Sequence, residues 1–422
     1  MTSFEESVFA LAPQIEQLMR QGDRVNANLA GKYWYPLAMA TYGTEEVLAS
    51  LVSLCSYRTT MWEKTAEFER RFGELFGGEA VMVNSGSSAD LLVAFSLLEL
   101  SGGPLPAGSE VLAPSVTWPT QLWSLLMAGF KVRLVDTDPG TLNIDLDDLE
   151  RKITPQTRAI SLVHLMGNPV AMDRVMNICA KYDLILVEDC CESLGASWKG
   201  QGVGTFGAAS TFSFFFSHHI VTMEGGMVIT KDGSLADRLR LLRAHGWSRN
   251  LHESPEPTAG LDPRYTFLSW GFNVRPTELQ AGFGLAQLDK FDAFQEHRLS
   301  NASKVLDHLK QYGEFLSPMQ VPQDGQCSWF ALPFIVSNDH DLNRDVLVDF
   351  LEANGVETRP IVAGNLAAHP AARKFPQLSI DSLPGAETIH ESGFYLGLHP
   401  VKEDSKLDRL CETFDRFFAR HR

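Results

Sequence analysis

The 422-residue sequence contains few cysteines, and none of them forms a familiar metal or redox motif. The six cysteines occupy positions 55, 179, 190, 191, 327 and 411, so no pair has the Cys-x-x-Cys spacing. Cysteines scattered in this way are typical of proteins that keep their thiols reduced. We therefore expect a reduced, cytoplasmic protein.

Long apolar runs and an excess of positive charge are also missing. No apolar stretch reaches the roughly 20 residues that a membrane-spanning helix needs. The opening MTSFEESVFA has no basic segment followed by an apolar one. The formal net charge of -16 argues against a nucleic-acid partner, because such binding uses basic patches. We expect no signal peptide, no membrane partner and no nucleic-acid partner.

Short apolar runs are present instead, and they alternate with helix-like stretches. The runs are AVMVN (80–84), EVLAP (110–114), KVRLVD (131–136), RAISLVHL (158–165), LILVED (184–189), STFSFF (210–215) and GMVITK (226–231). This alternation predicts an α/β fold whose mostly parallel sheet carries helices on both faces. Ligands of such sheets bind at the carboxyl ends of the strands, so functional residues should follow the runs.

The pattern divides the chain into three predicted parts. Residues 1–60 form a polar, partly helical N-terminal arm, and residues 61–275 form the large α/β domain, which begins with an amphipathic helix from Glu63 to Phe76. Residues 276–422 form a linking helix, predicted to run from Pro276 to about Leu299, and a smaller α+β domain.

Two short motifs follow predicted strands. Asn84-Ser85-Gly86-Ser87-Ser88 has the glycine and hydroxyls that hold a phosphate at a helix N-terminus, although serine is also an ordinary helix cap. Asp189 ends an apolar strand, where a carboxylate can keep a ring nitrogen protonated, as pyridoxal chemistry requires. A helix cap or a paired structural acid remains the alternative for Asp189.

Two further motifs carry histidine and arginine. His218 and His219 follow the aromatic strand, and one of them is a candidate general base because its pKa lies near neutrality. A packed structural histidine is the alternative, which we favour for His219, whereas a metal site lacks a clustered third ligand. Asn273 and Arg275 precede a helix that starts at Pro276 and are candidates for binding an anion.

In this order, the segments 84–88, 188–192, 213–226 and 271–281 resemble the sugar aminotransferases of the DegT/DnrJ/EryC1/StrS family. The resemblance extends over nearly the whole chain from about residue 32. It implies the fold of type I enzymes that use pyridoxal 5'-phosphate (PLP), built as a homodimer with shared active sites.

The resemblance also implies roles for individual residues. Asp189 would pair with the pyridine nitrogen, Glu192 would lie near the ring and Trp118 would stack on it. The residues that would hold the phosphate are Gly86, Ser87, Ser213 and, from the neighbouring subunit, Asn273. Those that would lie near the glutamate or the sugar nucleotide are His245, Arg249, Arg275, Tyr57, Arg58, Thr59 and Thr60.

Aminotransferases of this family have a lysine where this chain has His218, and no lysine occurs between Lys199 and Lys231. In this respect the chain resembles the sugar 3-dehydratases of the family. One kind needs an iron–sulfur cluster with four thiolate ligands, including closely spaced cysteines after the active-site loop. Here no cysteine lies between Cys191 and Cys327. We therefore expect the cluster-free, colitose-pathway kind.

That resemblance implies a catalytic pair, His218 and Asp189, acting with pyridoxamine 5'-phosphate (PMP) and PLP. The expected reaction removes the 3-hydroxyl of a nucleotide-linked 4-keto-6-deoxyhexose, with glutamate restoring PMP. Guanosine diphosphate is the first choice of carrier, which makes GDP-4-keto-6-deoxy-D-mannose the first candidate substrate. A conventional nucleotide-sugar aminotransferase and a non-catalytic relative that binds a sugar nucleotide remain alternatives.

Overall fold

The computed structural model describes residues 3–29, 32–99, 105–251, 260–337 and 342–420. The α-helices in these ranges are α1 (Ser3–Phe9), α2 (Ala12–Leu29), α3 (Thr44–Cys55), α4 (Glu63–Phe76), α5 (Gly86–Ser96), α6 (Pro119–Met127), α7 (Leu146–Lys152), α8 (Met172–Tyr182), α9 (Gly233–Arg243), α10 (Glu278–Leu288), α11 (Phe291–Leu309), α12 (Arg344–Ala353), α13 (Pro384–Ser392) and α14 (Asp404–Phe418). None of the helices in the described ranges has the length and apolar character needed to cross a membrane.

The strands in the same ranges are β1 (Glu79–Val83), β2 (Glu110–Pro114), β3 (Lys131–Val135), β4 (Thr157–Val163), β5 (Ile185–Asp189), β6 (Ser197–Trp198), β7 (Gln201–Gly202), β8 (Ala209–Ser213), β9 (Gly226–Thr230), β10 (Leu316–Pro318), β11 (Gly325–Gln326), β12 (Ala331–Val336), β13 (Thr358–Arg359), β14 (Leu378–Ser379) and β15 (Gly393–Gly397). Each of the seven apolar runs in the sequence corresponds to one strand of the large sheet, with ends that differ by at most two residues.

The large sheet has eight strands in the order β1-β9-β8-β5-β4-β2-β3-β14. The pairs from β8 to β14 are parallel, and the two pairs that involve β9 are antiparallel. On β2, Val111 and Ala113 join one hydrophobic cluster whereas Leu112 joins another, so both faces of the sheet are covered. The predicted α/β fold with a mostly parallel sheet is confirmed.

A smaller antiparallel sheet lies in the C-terminal part of the chain. Its strand order is β10-β12-β15-β13, and helix α14 packs against the neighbouring α11 and α12. One short strand from this part, β14, instead extends the large sheet by pairing with β3. The division at residues 60 and 275 therefore stays a prediction, because elements on both sides of it share the large sheet.

Two helix predictions had different outcomes. The predicted helix from Glu63 to Phe76 is confirmed as α4, which ends where Gly77 adopts a left-handed conformation with φ of 61°. The single helix predicted from Pro276 to Leu299 is wrong, because the chain breaks into α10 and α11. At the break, the Lys290 ammonium lies 2.7 Å from the buried Glu46 carboxylate of α3, which holds the chain at this corner.

Candidate active site

The carboxyl ends of the central strands form one wall of a cavity of about 530 Å³. The large sheet is parallel at this point, so β2, β4, β5 and β8 end at the same edge. The sequence-predicted residues that line the cavity are Gly86, Ser87, Trp118, Asp189, Glu192, Ser213 and His218. We call these residues the cavity group.

The loop between β1 and α5 caps the helix and also lines the cavity. Ser85 caps α5, because its hydroxyl accepts the backbone N–H of Ser88 at 3.1 Å. The next two residues, Gly86 and Ser87, line the cavity at the helix N-terminus, where N–H groups favour an anion. A Cβ on Gly86 would lie 2.6 Å from the Cβ of Ser213, so only glycine permits this close approach.

Asp189 is the last residue of β5 and is only 3% exposed. Its carboxylate accepts the backbone N–H of Cys191 at 2.9 Å. Burial raises the pKa of Asp189, whereas the hydrogen bonds from Cys191 and the nearby His164 oppose the rise. The chain therefore holds a buried carboxylate at the cavity wall with few protein donors, which is the environment expected for a cationic ring nitrogen.

Glu192 lies in the loop after β5, three residues beyond Asp189. Its carboxylate accepts the backbone N–H of Met166 at 2.8 Å. Burial, with a smaller contribution from the charge of Asp189, raises the pKa of Glu192 to about 7. The raised pKa lets this side chain hold a proton at a higher pH than an ordinary glutamate, and in that form it can donate as well as accept a hydrogen bond.

His218 lies in the loop that follows β8, with its ring against Phe330 at a centroid distance of 5.1 Å. Its Nδ1 lies 2.7 Å from the carbonyl oxygen of Cys191, so Nδ1 carries the proton and Nε2 carries the lone pair. Burial lowers the pKa of His218 to about 4. The ring is therefore neutral near pH 7 and available as a base.

His219 is more deeply buried than His218 and does not line the cavity. It is 1% exposed, and its Nε2 lies 3.1 Å from the carbonyl oxygen of Ser328. Burial lowers the pKa of His219 well below its ordinary value. This environment supports the structural interpretation of His219.

The predicted residues outside the cavity group do not line the cavity. We call them the outer group: Tyr57, Arg58, Thr59, Thr60, His245, Arg249, Asn273 and Arg275. All are exposed except Arg275, which is half-buried. Backbone contacts join the segments that carry them. The backbone N–H of Glu278 donates to the carbonyl oxygen of Thr59 at 3.1 Å, and Asn273 pairs with Ala244, the residue before His245.

One segment of the outer group, residues 273–275, lies beside the loop that carries Gly86 and Ser87. Asn84, just before the phosphate loop, donates its backbone N–H to the carbonyl oxygen of Val274 at 3.0 Å. Val274 lies between the exposed Asn273 and the half-buried Arg275, so these two side chains start close to the loop. They do not face into the cavity of their own chain.

The cavity residues fit PMP or PLP. A helix N-terminus with the hydroxyls of Ser87 and Ser213 suits the phosphate, and the buried carboxylate of Asp189 suits the ring nitrogen. Trp118, 56% exposed at the start of α6, offers an aromatic face at the cavity. The absence of a side chain at Gly86 leaves the loop open to an anion.

The structure adds cavity residues that the sequence did not reveal. These are Asp90, Thr120, Cys191, Arg359 and Tyr395. Asp90 lies one turn after Gly86 on α5, so an acid at this spacing behind a phosphate loop was the available signal. Arg359 and Tyr395 come from the C-terminal sheet and approach only through tertiary folding. Burial raises the pKa of Tyr395 to about 12, with a smaller contribution from Glu192.

Three buried side chains beside the cavity resemble a metal site. The ligand atoms of His164, Glu188 and Cys190 lie within 4.8 Å of one another. However, Glu188 already accepts the backbone N–H groups of Gly204, Phe206 and Gly207 at 2.7–2.8 Å and lies 3.1 Å from Nε2 of His164. The hydrogen bonds of Glu188 are therefore satisfied by the protein, and the grouping needs no ion.

Comparison with known proteins decides between the families that could share this geometry. Residues 42–415 match the model of the DegT/DnrJ/EryC1/StrS aminotransferase family. The chain belongs to this family. The family assignment made from the four motifs is thereby confirmed, together with the PLP-dependent aminotransferase fold.

Within the family, the chain is similar to proteins named GDP-4-keto-6-deoxy-D-mannose 3-dehydratase. The protein from Yersinia pseudotuberculosis is 39% identical over 89% of this chain and 97% of its own length. The protein from Escherichia coli O55:H7 is 37% identical over 90% of this chain and 99% of its own. A solved structure of GDP-4-keto-6-deoxymannose-3-dehydratase with a trapped PLP-glutamate geminal diamine has a TM-score of 0.86, with 37% identity over 90% of this chain and 99% of that one.

Proposed function

We propose that this chain is a PMP-dependent lyase that removes the 3-hydroxyl of a nucleotide-linked 4-keto-6-deoxyhexose and yields a 4-keto-3,6-dideoxy sugar. The substrate we expect is GDP-4-keto-6-deoxy-D-mannose, which the names of the two similar proteins support. The observation that carries the proposal is the position of His218. Its neutral imidazole lines a cavity fit for the cofactor, and no lysine is among the described residues that line it.

When bound, the cofactor supplies an amine that condenses with the 4-keto group and a conjugated ring that accepts electrons. Ser87, Ser213 and the N-terminus of α5 bind its phosphate. Asp189 keeps the ring nitrogen protonated, and its burial strengthens that interaction. Trp118 covers one face of the ring.

His218 moves the protons. With Nδ1 bound to the Cys191 carbonyl, Nε2 would be free to take a proton from the C4′ carbon of a bound cofactor. The same nitrogen then returns a proton to the departing 3-hydroxyl, which leaves as water.

The absence of an amine at position 218 determines the outcome. A lysine there would bind the cofactor covalently and favour amino transfer to the sugar. Imidazole forms no such stable bond, so water releases the sugar as a ketone and the nitrogen as ammonia. The two electrons for the deoxygenation come from converting PMP to PLP. Glutamate then restores PMP, as the glutamate adduct of the similar structure supports.

We further propose that the outer group acts on the site of a second copy of this chain. Arg275, Arg249 and His245 would bind glutamate or the diphosphate, and Asn273 would reach the phosphate of the partner's cofactor. Residues Tyr57 to Thr60 would contact the nucleotide. Their exposure outside their own cavity supports this arrangement, since an arginine fork suits carboxylate and phosphate oxygens.

The unpaired cysteines support a cytoplasmic location.

The proposal is tested with purified protein, PMP, glutamate and a panel of GDP-, CDP- and dTDP-linked 4-keto-6-deoxy sugars. Mass spectrometry of the products should show loss of the 3-hydroxyl with the 4-keto group retained, and the GDP sugar should react best. A stable 4-amino sugar as the main product would favour the aminotransferase alternative. No turnover and no cofactor binding would favour a non-catalytic relative.

A further inference from the structure

A second buried carboxyl group shares the cavity with Asp189. Asp90 projects from α5, is 9% exposed and lines the same cavity. No ion pair joins it to a cation within the part of the chain that the structure describes. Its two oxygens instead contact two threonine hydroxyls, from Thr211 at 2.8 Å and from Thr120 at 3.4 Å.

The threonine contacts limit where protons can lie. The Thr211 hydroxyl donates to Oδ1 of Asp90. The Thr120 hydroxyl lies between Oδ2 of Asp90 and the Ser87 hydroxyl, 3.2 Å away, but it has a single proton to donate. If Asp90 were ionised, that proton would be drawn to Oδ2 and away from Ser87.

A proton on Oδ2 of Asp90 gives each carboxyl and hydroxyl group in this chain of contacts a hydrogen-bond partner. Asp90 then donates to Thr120, Thr120 donates to Ser87, and the proton of the Ser87 hydroxyl remains for an acceptor in the cavity. That acceptor is the phosphate if the cofactor binds as proposed. We infer that Asp90 is a protonated positioning residue that, through Thr120, aims the Ser87 hydroxyl at the cofactor's phosphate.

The charges around Asp90 agree with this hydrogen-bond direction. Burial raises the pKa of Asp90 well above its ordinary range, and the charge of Asp189 adds to the rise. At Asp189 the backbone N–H of Cys191 and the neighbouring His164 oppose the effect of burial. Two neighbouring buried carboxyl groups cannot both ionise cheaply, so of this pair the proton belongs to Asp90 and the charge to Asp189.

Binding of PMP to the apoprotein, measured by equilibrium titration without any sugar, tests the inference. The substitution Asp90→Asn keeps a donor toward Thr120 and an acceptor toward Thr211, so its Kd should stay within about twofold of wild type. Asp90→Ala should weaken binding about tenfold, because it removes both contacts. Thr120→Val should weaken binding similarly, and the double variant Asp90→Ala/Thr120→Val should be no worse than either single one.

Two results would overturn the inference. Equal weakening in Asp90→Asn and Asp90→Ala would mean that the negative charge matters, and wild-type affinity in Asp90→Ala would mean that the chain of hydroxyls has no role. Infrared spectra supply a second readout: the carbonyl band of a buried carboxylic acid should vanish in Asp90→Asn. Glu192→Gln serves as the reference, because Glu192 contributes a second such band. A wild-type spectrum in Asp90→Asn would also contradict protonation.

This inference rests on the proposed function only for the cofactor. Because the titration contains no sugar nucleotide, a protein that binds PMP but does not dehydrate would leave the Asp90 result intact. A protein that dehydrates while Asp90→Asn binds PMP as poorly as Asp90→Ala would refute the inference alone.

Discussion

The cavity group and the outer group differ in residue type and in burial: the cavity group includes two acids and no arginine, whereas the outer group includes three arginines and no acid. Asp189 and His218 stand where central strands end, and hydrogen bonds from or to the Cys191 backbone fix both of them. His245, Arg249 and Asn273 are exposed on loops outside the cavity. One chain therefore supplies a buried cavity at the strand ends and, separately, an exposed polar surface outside that cavity.

This difference indicates which task suits each group of residues. Buried side chains at strand ends can be held within tenths of an ångström, as proton transfer requires. Exposed arginines gain their full strength only when another surface desolvates them. The outer group would thus become effective on the cavity of a second copy, and the following predictions test each half of that comparison.

The largest effect is expected from the cavity group. The substitution His218→Asn removes the only base proposed for both proton transfers, so kcat for dehydration should fall at least about 10³-fold. PMP should still bind, because the phosphate contacts remain. A matched control, His308→Asn, changes a histidine on α11 whose Nε2 lies 2.8 Å from Asp415 of α14 and which does not line the cavity, so it should keep wild-type kcat. Substantial turnover by His218→Asn would refute the role of His218.

The next effect tests the outer group. His218→Asn and Arg275→Ala should each be nearly inactive alone. Mixing them by co-refolding should restore about one quarter of wild-type activity, since half of the dimers are mixed and one of their two sites is intact. Activity that stays at the level of the single variants would mean that Arg275 serves its own chain.

A smaller effect tests how burial in the cavity changes the pKa of Glu192. Because burial raises the pKa of Glu192 to about 7, the folded cofactor-free protein holds this proton more tightly than the unfolded chain. The resulting contribution to stability is present below the unfolded pKa and is lost as the pH rises through about 7. Glu192→Gln should therefore gain stability relative to wild type between pH 5 and pH 8, by at most about 3 kcal/mol. Urea denaturation at both pH values measures this, and a pH-independent difference would contradict it.

The smallest effect concerns the phosphate cradle. Ser87→Ala removes one hydroxyl from the cavity and should weaken PMP binding about tenfold, equivalent to about 1.4 kcal/mol. Ser234→Ala, at the start of α9 and outside the cavity, is the matched control and should bind PMP as wild type does. Unchanged binding in Ser87→Ala would remove Ser87 from the proposed phosphate site.

Local patterns predicted much of the fold. The run EVLAP (110–114) is β2 to the residue, because a strand buried on both faces is a continuous apolar run. The helix from Glu63 to Phe76 is α4, because the buried face of a helix repeats at a fixed period along the chain. The break between α10 and α11 was not predictable in this way. It depends on Lys290 meeting Glu46, which lies 244 residues earlier.

The candidate site shows the same limit. The rule that ligands bind at the carboxyl ends of strands pointed to Asp189 and the loop at Gly86, and the family resemblance added Ser213; the cavity contains all three. The hydrogen bond that fixes the tautomer of His218 was not predictable, since it joins a side chain to a backbone carbonyl of another loop. Asp90 was missed for a similar reason, because its meaning comes from Thr120 and Asp189 around it.

Ammonia release during a single turnover tests the central claim most directly. PMP-loaded protein, mixed with GDP-4-keto-6-deoxy-D-mannose in the absence of glutamate, should release one ammonia and one 4-keto-3,6-dideoxy sugar for each PMP converted to PLP. This stoichiometry is expected because His218 offers no amine that could displace the nitrogen from the cofactor as an amino sugar, so water would release that nitrogen as ammonia. Nitrogen recovered in a 4-amino sugar, with no ammonia released, would contradict it.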